Sequence, residues 1–236
     1  SYAIPFLLVL QPLSPVVVEK LIPGAEAGML LNSVTNELYK EAILVPCAFQ
    51  RRWIHWGARE MGGGFRGEFT TPQTADLRTS GKVKELEGRL YFPEPDGSIN
   101  PKKSDRLADT RSHFCMVLAR ADDDLAMPCV LALTSTGIKV SKSLMSRIEG
   151  IRLRKADGSL FNPPSFSHMY RLTTTQEKND KGTWFQPAIA IVGPVTAVAL
   201  YARAKAFHDQ VVAGKVDVAR ETAGKAEEPS EQQGKF

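Results

Sequence analysis

The segment of residues 43–69 constrains this chain most, because it joins a strand-like apolar pattern to a dense group of cations and aromatic rings. It reads ILVPCAFQRRWIHWGAREMGGGFRGEF and holds two of the three tryptophans of the chain. Alternate side chains of a strand point to opposite faces. A regular strand would place Phe49, Arg51, Trp53 and His55 on one face, and Gln50, Arg52, Ile54 and Trp56 on the other.

Neither face of this strand is purely apolar, so two interpretations stay open. Cations beside flat rings are typical of proteins that bind single-stranded nucleic acid, because rings stack on bases and cations neutralise phosphates. The same residue types also cover core edges, since tryptophan is often mostly buried and arginine lays its stem over apolar surface. We expect Trp53 to face the ligand and Trp56 to pack with Ile54 in the core.

The remaining pattern predicts further strands. Hairpins are indicated within residues 29–39, between the apolar runs 114–119 and 128–133, and around the polar turn 178–182. The strand over residues 41–54 is long enough that it should bend or bulge.

Two helices are predicted among these strands. The central helix is expected to begin at Ser135 or Thr136, because an apolar stripe at helical spacing follows. The C-terminal helix is expected over residues 194–214, opened by a proline and closed by a glycine.

Residues 70–109 are rich in proline and glycine, and they predict a long excursion with a short helix at residues 83–88. The elements together predict a mainly β fold with minor α content. We expect one strand-rich domain over residues 1–213, with antiparallel hairpins and long loop insertions. A polar C-terminal tail is expected over residues 214–236.

The positive charge of the chain is concentrated in one segment. The formal net charge is only +4, yet residues 137–155 hold six cations against the single anion Glu149. A patch of that density favours a polyanionic partner. The six cations are Lys139, Lys142, Arg147, Arg152, Arg154 and Lys155.

The three cysteines, Cys47, Cys115 and Cys129, lie among apolar residues and form no CxxC pair. This usage predicts reduced core thiols in a cytoplasmic protein. The apolar run at residues 4–13 is short and interrupted by two prolines, so we expect neither a membrane span nor a secretory signal.

Motifs for catalysis are not found in the sequence. The four histidines are dispersed, and no HExxH, GxSxG or phosphate-loop GK[ST] occurs. The acidic triplet at residues 122–124 offers ligands for a divalent metal, but it is more typical of a solvated hairpin turn. We therefore expect a binding protein rather than an enzyme, with no cofactor and no metal site. A metal-dependent nuclease remains the enzymatic alternative.

Cations recur beside aromatic residues in several separate segments, which favours single-stranded DNA as the ligand. Each stacked base contributes about 1–3 kcal/mol, and each neutralised phosphate adds a salt-dependent term. The candidate DNA-binding residues are Phe49, Arg51, Arg52, Trp53, His55, Arg59, Phe65, Arg66, Lys139, Lys142, Arg147, Arg152, Arg154, Tyr170, Lys181 and Trp184.

Five segments within residues 4–212 read, in order, IPFLLVLQPLSPVV, PGAEAGMLLNSVTNELY, LVPCAFQRRWIHWGAREMGGGF, DTRSHFCMVLA and ALTSTGIKVSKSLMS. This series resembles a family of tailed-bacteriophage proteins associated with single-stranded DNA binding during replication and recombination. The resemblance implies an oligonucleotide-binding (OB) barrel with long loops and no cofactor. It also implies sequence-independent coating of phage replication and recombination intermediates in the host cytoplasm. After Thr136 the chain departs from the family pattern, which has more lysine and a tryptophan there.

Proteins of that functional class often end in an acidic tail with a terminal aromatic residue that recruits replication proteins. The last residue here is Phe236, which makes it a candidate partner-binding residue, although residues 220–236 hold four acids and three bases. The alternative function is a phage structural or assembly protein that makes subunit contacts through its β-rich body and tail. Both functions are compatible with a homo-oligomer.

Overall fold

The computed structural model describes residues 3–122, 125–180 and 182–219. Strands account for 42% of the structure and helices for 22%, so the expected mainly β class is confirmed. The strands are β1 (Ala3–Ile4), β2 (Leu7–Val9), β3 (Leu30–Asn32), β4 (Leu38–Tyr39), β5 (Ala42–Trp56), β6 (Phe65–Phe69), β7 (Lys84–Leu86), β8 (Arg89–Tyr91), β9 (Arg106–Leu118), β10 (Met127–Thr134), β11 (Leu153–Arg154), β12 (Leu160–Phe161), β13 (His168–Asn179), β14 (Gly182–Pro194) and β15 (Asp217–Val218). The helices are α1 (Pro15–Val18), α2 (Thr71–Thr79), α3 (Gly137–Gly150) and α4 (Val198–Val212).

β5 and β9 form the centre of the main antiparallel sheet, because each is long enough to pair with several other strands. They pair with each other over residues 43–56 and 106–118. The outer edge of β5 pairs with β13 at its start and with β6 at its end. The outer edge of β9 pairs with β8 at its start and with β10 over most of its remaining length. The sheet therefore divides into a barrel half, completed by β10, β13 and β14, and a hairpin half, completed by β6, β7 and β8.

A β-bulge at residues 46–48 changes which side chains of β5 face each side of the sheet. One extra residue reverses the alternation of the strand. Leu44 and Phe49 therefore lie on the same face, because their partners Val117 and His113 are an even number of residues apart on β9. The irregularity expected in this long strand is confirmed.

The barrel half curls strongly around a buried apolar core and gives the sheet the form of a half-barrel. The chain before β2 joins the edge of β10 through a bridge between Phe6 and Val130. Gln11, just after β2, then reaches β14: its side-chain amide donates to the Phe185 carbonyl and accepts from the Phe185 N–H, both at 2.9 Å. Leu144 of α3 packs into the core that these strands enclose. The antiparallel barrel form that the resemblance implies is confirmed as a strongly curled half-barrel.

α4 covers the opposite face of the barrel half. Its Phe207 packs edge-on against Phe114 of β9, with ring centroids 6.4 Å apart. Between β13 and β6, the Cys47 carbonyl of β5 accepts hydrogen bonds from His208 Nδ1 at 2.7 Å and from Ser165 Oγ at 3.0 Å. α4 and the short 3-10 turn at Ser165–Ser167 therefore supply hydrogen-bond donors to a β5 carbonyl that pairs with neither β13 nor β6.

The predicted hairpins are confirmed as β3–β4, β9–β10 and β13–β14. The central helix is confirmed as α3, with Thr136 at the N-cap position. α4 begins at Val198, later than the sequence predicts, because β14 continues through Pro194.

In residues 70–109 one predicted helix is wrong and one helix was not predicted. Residues 83–88 contain the start of the β7–β8 hairpin instead of a helix, because Glu87 and Gly88 both adopt the positive φ that a tight two-residue turn requires. The excursion also contains α2, which begins with a capping box between Thr70 and Gln73. The Thr-x-x-Gln spacing is the sequence signal for that helix.

The start of the predicted tail is partly structured. Residues 214–219 include β15, which pairs in parallel with β1. The rest of the predicted tail, residues 220–236, lies outside the described residues.

Candidate nucleic-acid interface

The aromatic rings of the hairpin half are packed against one another and against a small apolar cluster. Trp53 packs on the buried side chains of Leu90 and Leu107, and its indole Nε1 is buried. Trp56 lies on the other face of β5, edge-on to the exposed ring of Phe65 at a centroid distance of 6.2 Å. Trp56, which we expected in the core, is therefore only half-buried, and Trp53, which we expected to face the ligand, packs partly buried on the cluster of the hairpin half.

The candidate arginines of β5 are paired with carboxylates on neighbouring strands. Arg51 donates two hydrogen bonds to Asp109, from Nε at 2.9 Å and from Nη2 at 2.7 Å. The hydrogen bond to Asp109 raises the pKa of Arg51 above its ordinary value. Arg52 lies 3.7 Å from Glu68 of β6. In both pairs the carboxylate offsets the positive charge of the arginine, which would otherwise attract a phosphate.

Asp105 holds two more of the candidates. Its carboxylate bonds to His55 Nε2 at 2.7 Å and accepts from the Ala58 N–H at 2.9 Å, while Arg66 Nε lies 3.4 Å away. The His55 ring is also stacked on Phe92, with centroids 4.1 Å apart. Asp105 thus fastens the β5–β6 connection to the start of β9, and it compensates the positive charge of this region.

α3 packs one face on the barrel half and exposes the other. Ser141 and Leu144 are fully buried, and Ser141 Oγ lies 2.8 Å from His113 Nε2 of β9. Burial, with a smaller contribution from the positive charge of Arg111, lowers the pKa of His113 to about 4. His113 is therefore neutral at pH 7, and it anchors α3 to the sheet without adding charge.

The exposed face of α3 and the following β11–β12 hairpin carry a group of cations that we name the basic ridge. Arg147 donates to the Ile189 carbonyl at 2.6 Å, and Arg154 donates to the Gly158 carbonyl at 2.7 Å. Arg152 likewise donates to backbone carbonyls. A neutral carbonyl orients a guanidinium but does not cancel its charge. The basic ridge consists of Lys139, Lys142, Arg147, Arg152, Arg154 and Lys155.

Lys142 and the ridge arginines keep their positive charge. Among the ion pairs of the described residues, none joins Lys142 or a ridge arginine to a carboxylate. Lys155 lies over the ring of Phe161, with Nζ 5.8 Å from the centroid. Uncompensated cations and an aromatic ring therefore occur together at the end of the ridge.

The other candidates lie apart from the ridge. Tyr170 is fully buried in the core of the barrel half, and burial raises its pKa. It is inaccessible to a DNA base, so this candidate is wrong. Phe49 packs on the His113 ring at 5.1 Å, and Trp184 is half-buried near the β13–β14 turn. Lys181, the Arg59 side chain and Phe236 lie outside the described part of the chain.

Two residues gain a role through the structure. Lys155 already belongs to the cation-rich segment in sequence, and its position over Phe161 adds an aromatic partner. Arg111 is the register partner of Arg51 on β9. The local sequence around Arg111 carries no signal for this pairing, because it depends on the alignment of two distant strands.

A cleft of about 710 Å³ lies on the other face of the hairpin half, toward the segment of residues 214–219. Its charged lining consists of Arg52, Glu68 and Asp217. Two acids against one cation make this cleft less suitable for a polyanion than the basic ridge.

A comparison with protein families covers most of the chain. Residues 1–217 match the family described as Pam3 phage gp34-like protein. The chain belongs to this family. Membership of the Pam3 phage gp34-like family indicates a phage protein, which confirms that part of the expected resemblance. No curated protein and no solved structure matches the chain.

The structure describes residues 3–122, 125–180 and 182–219. No helix in these ranges is both long enough and apolar enough to cross a membrane. The same ranges contain no group of three His, Cys, Asp or Glu side chains placed to hold a metal ion. Of the predicted acidic triplet, Asp122 pairs with Arg120 at 3.4 Å, and the other two residues lie outside the described ranges.

Proposed function

We propose that this phage protein binds single-stranded DNA without sequence preference, with the basic ridge as its main contact surface. The observation that supports this is a difference in charge compensation. Arg147 and Arg154 of the ridge bond to backbone carbonyls, whereas Arg51, Arg52 and Arg66 of the hairpin half are paired with carboxylates. A guanidinium that keeps its charge and spare donors binds phosphate oxygens well.

The ridge is long enough to contact several phosphates. α3 has 14 residues, which corresponds to about 21 Å at 1.5 Å per residue. The β11–β12 hairpin extends this line of cations. If each ridge cation neutralises one phosphate, log affinity should fall with log salt by about 4 units per decade, at about 0.7 per phosphate.

Exposed apolar surface beside the ridge favours a single strand over a duplex. Phe161 lies beneath Lys155, and Leu153 and Leu160 of the same hairpin are exposed. Unpaired bases stack on such surface, whereas a duplex keeps its bases stacked inside. The single strand therefore gains contacts that a duplex cannot make.

Fluorescence anisotropy with labelled single-stranded and duplex oligonucleotides, at several salt concentrations, tests the proposal. The ridge variant combines Lys142→Glu, Arg152→Glu and Arg154→Glu. The control variant makes the same change in net charge at exposed lysines of residues 70–109, and it combines Lys82→Glu, Lys102→Glu and Lys103→Glu.

We expect the ridge variant to bind single-stranded DNA about 100-fold more weakly near 0.1 M salt, because three phosphate contacts are lost. The control should remain within a few-fold of the wild type. An equal loss in both variants, equal affinity for duplex and single strand, or a flat salt plot would each contradict the proposal.

Binding of this kind would coat and protect the single strands that phage replication and recombination produce in the host cytoplasm. The proposed role needs no cofactor and no catalysis. Phe236 and the preceding tail would then contact phage replication proteins. Deletion of residues 220–236 tests that contact: DNA affinity should stay unchanged, while pull-down of those proteins should be lost.

A structural role in phage assembly is the second candidate, and the exposed end of β14 favours it. Ile191 and Val192 at this sheet edge are 52% and 40% exposed, and Val198 just beyond it is 83% exposed. Apolar strand edges pair readily with another chain. Light scattering should then detect an oligomer of the wild-type chain. The double variant Ile191→Lys/Val192→Lys should dissociate into monomers. Such an oligomer, together with no DNA binding by the wild type, would favour the assembly role.

A further inference from the structure

Two arginines occupy directly opposed positions on the two central strands. Arg51 of β5 and Arg111 of β9 are register partners, so they share one face of the sheet. Like charges directly opposite each other on neighbouring strands are destabilising, and the pair therefore needs negative charge nearby. Arg51 obtains it from Asp109, through bonds of 2.9 and 2.7 Å.

Arg111 has no comparable partner in the part of the chain that the structure describes. Its Nε is buried and makes no hydrogen bond there. The ion pairs of the same residues do not include its guanidinium. Buried donors in folded proteins are nearly always paired, and an unpaired one is costly. The chemistry of Arg111 thus favours a bound anion.

The surroundings of Arg111 supply further donors. The Nε1 of Trp53 is also buried without a partner among the described residues, and Trp53 is the register partner of Asp109, two residues from Arg111 along β9. On the other side, Leu133 is the register partner of Arg111. α3 begins over Leu133, because a Cβ placed on Gly137 would lie 3.4 Å from that side chain. The positive end of the α3 dipole therefore lies next to the arginine.

We propose that Arg111, Trp53 and the first turn of α3 form a binding site for a phosphate group. The guanidinium fork and the indole N–H are donors, and phosphate offers several anionic acceptor oxygens. The first turn of α3 adds the positive end of the helix dipole, while its Ile138 and Lys139 N–H groups already donate to the carbonyls of Ser135 and Thr136. The phosphate is either free inorganic phosphate or part of a nucleotide. The site lies on the sheet face rather than on the basic ridge, so it goes beyond the proposed DNA contact and is tested separately.

Thermal unfolding gives the first test. A ligand that binds the folded state raises the melting temperature. We expect 20 mM inorganic phosphate to raise the melting temperature of the wild-type chain by about 3 °C over chloride at the same ionic strength. Arg111→Met should abolish this rise and should melt above the wild type in chloride, because it removes a partly buried, unpaired cation. Arg78→Met is the matched control, since Arg78 is exposed and paired with Glu85, and it should keep the rise.

A second measurement uses the wild-type chain and does not depend on the folding of any variant. In ¹⁵N spectra, the Nε–H resonance of Arg111 and the indole N–H resonance of Trp53 should shift when inorganic phosphate is added. Deoxythymidine monophosphate replaces phosphate in a parallel titration: tighter binding of the nucleotide assigns the phosphate to a nucleotide, and equal binding assigns it to free phosphate. No shift with either ligand overturns the proposal. An equal rise in melting temperature for the wild type and Arg111→Met overturns it as well.

Discussion

The hairpin half of the sheet and the basic ridge contain the same kinds of side chain, but the structure uses them in opposite ways. In the hairpin half, His55 and Arg66 are held by Asp105, and the rings pack around an apolar cluster. In the ridge, Arg147 and Arg154 bond to neutral backbone carbonyls and remain exposed. Both regions are rich in cations, and they differ in the number of aromatic rings and in the groups that surround each cation.

This difference shows how a cation-rich segment becomes either scaffold or contact surface. Arg51 and Arg52 lie on a strand between two neighbours, so carboxylates of β6 and β9 reach them from the side. Lys142 and Arg147 lie on the exposed face of α3, Arg152 just after it and Arg154 on β11, and the ion pairs of the described residues join none of these four to a carboxylate. Position in the fold therefore decides how much charge a region keeps.

The largest expected effect concerns the packed ring of the hairpin half. Trp53→Ala removes that ring from the cluster with Leu90 and Leu107, so we expect the free energy of unfolding to fall by about 3–5 kcal/mol. Urea unfolding followed by circular dichroism measures it. Trp53→Phe is the control, because it keeps a ring and removes an unpaired buried N–H. A more than tenfold loss of single-strand affinity in Trp53→Phe, at unchanged stability, would make the hairpin half a contact surface and break the comparison.

The next effect concerns His113, which contacts Ser141 on the buried face of α3. The folded-state pKa of His113 is about 4 against an ordinary 6.5, so the unfolded chain binds the proton more readily between these values. The contribution of neutral His113 to the free energy of unfolding is complete above about pH 6.5. It is lost as the pH falls toward about 4, and the loss is about 3 kcal/mol at most. Denaturant unfolding at pH 7 and pH 4.5 measures it. His113→Asn should lose this pH dependence, and an identical pH dependence in both proteins would contradict the assignment.

A smaller effect compares one arginine from each region directly. Arg152→Gln in the ridge should reduce the slope of log affinity against log salt by about 0.7, because one phosphate contact is lost. Arg66→Gln should leave that slope unchanged, because Arg66 lies 3.4 Å from Asp105. Anisotropy titrations of both variants at four salt concentrations measure the two slopes. The reverse result would transfer the DNA contact to the hairpin half.

The smallest effect concerns the three buried cysteines of the barrel half, which we expect not to react with thiol reagents. Burial raises the pKa of Cys47 and of Cys129 to about 12, and it raises the pKa of Cys115 as well. The reactive thiolate is therefore scarce at pH 8. A colorimetric thiol reagent should detect no cysteine in the native chain and three after unfolding in denaturant. Rapid reaction of the native chain would show that the core supporting the ridge opens readily.

The sequence by itself determined the features that depend on near neighbours. Alternation and turn residues predicted β13–β14, an apolar stripe predicted α3 from Thr136, and residue counts predicted the charge of residues 137–155. The capping box that starts α2 is equally local and readable. Each of these features depends on residues a few positions apart, so the pattern of the chain carries the whole signal.

Only the tertiary structure decided which charges and rings are available. Arg51 and Asp109 are 58 residues apart, and the burial of Tyr170 depends on how β13 is placed in the curled sheet. The bulge at residues 46–48 also sets which residues of β5 share a face with Arg111. A shift of one residue in strand register moves every side chain to the opposite face. Register between distant strands results from packing of the entire core, and no local segment of the sequence encodes it.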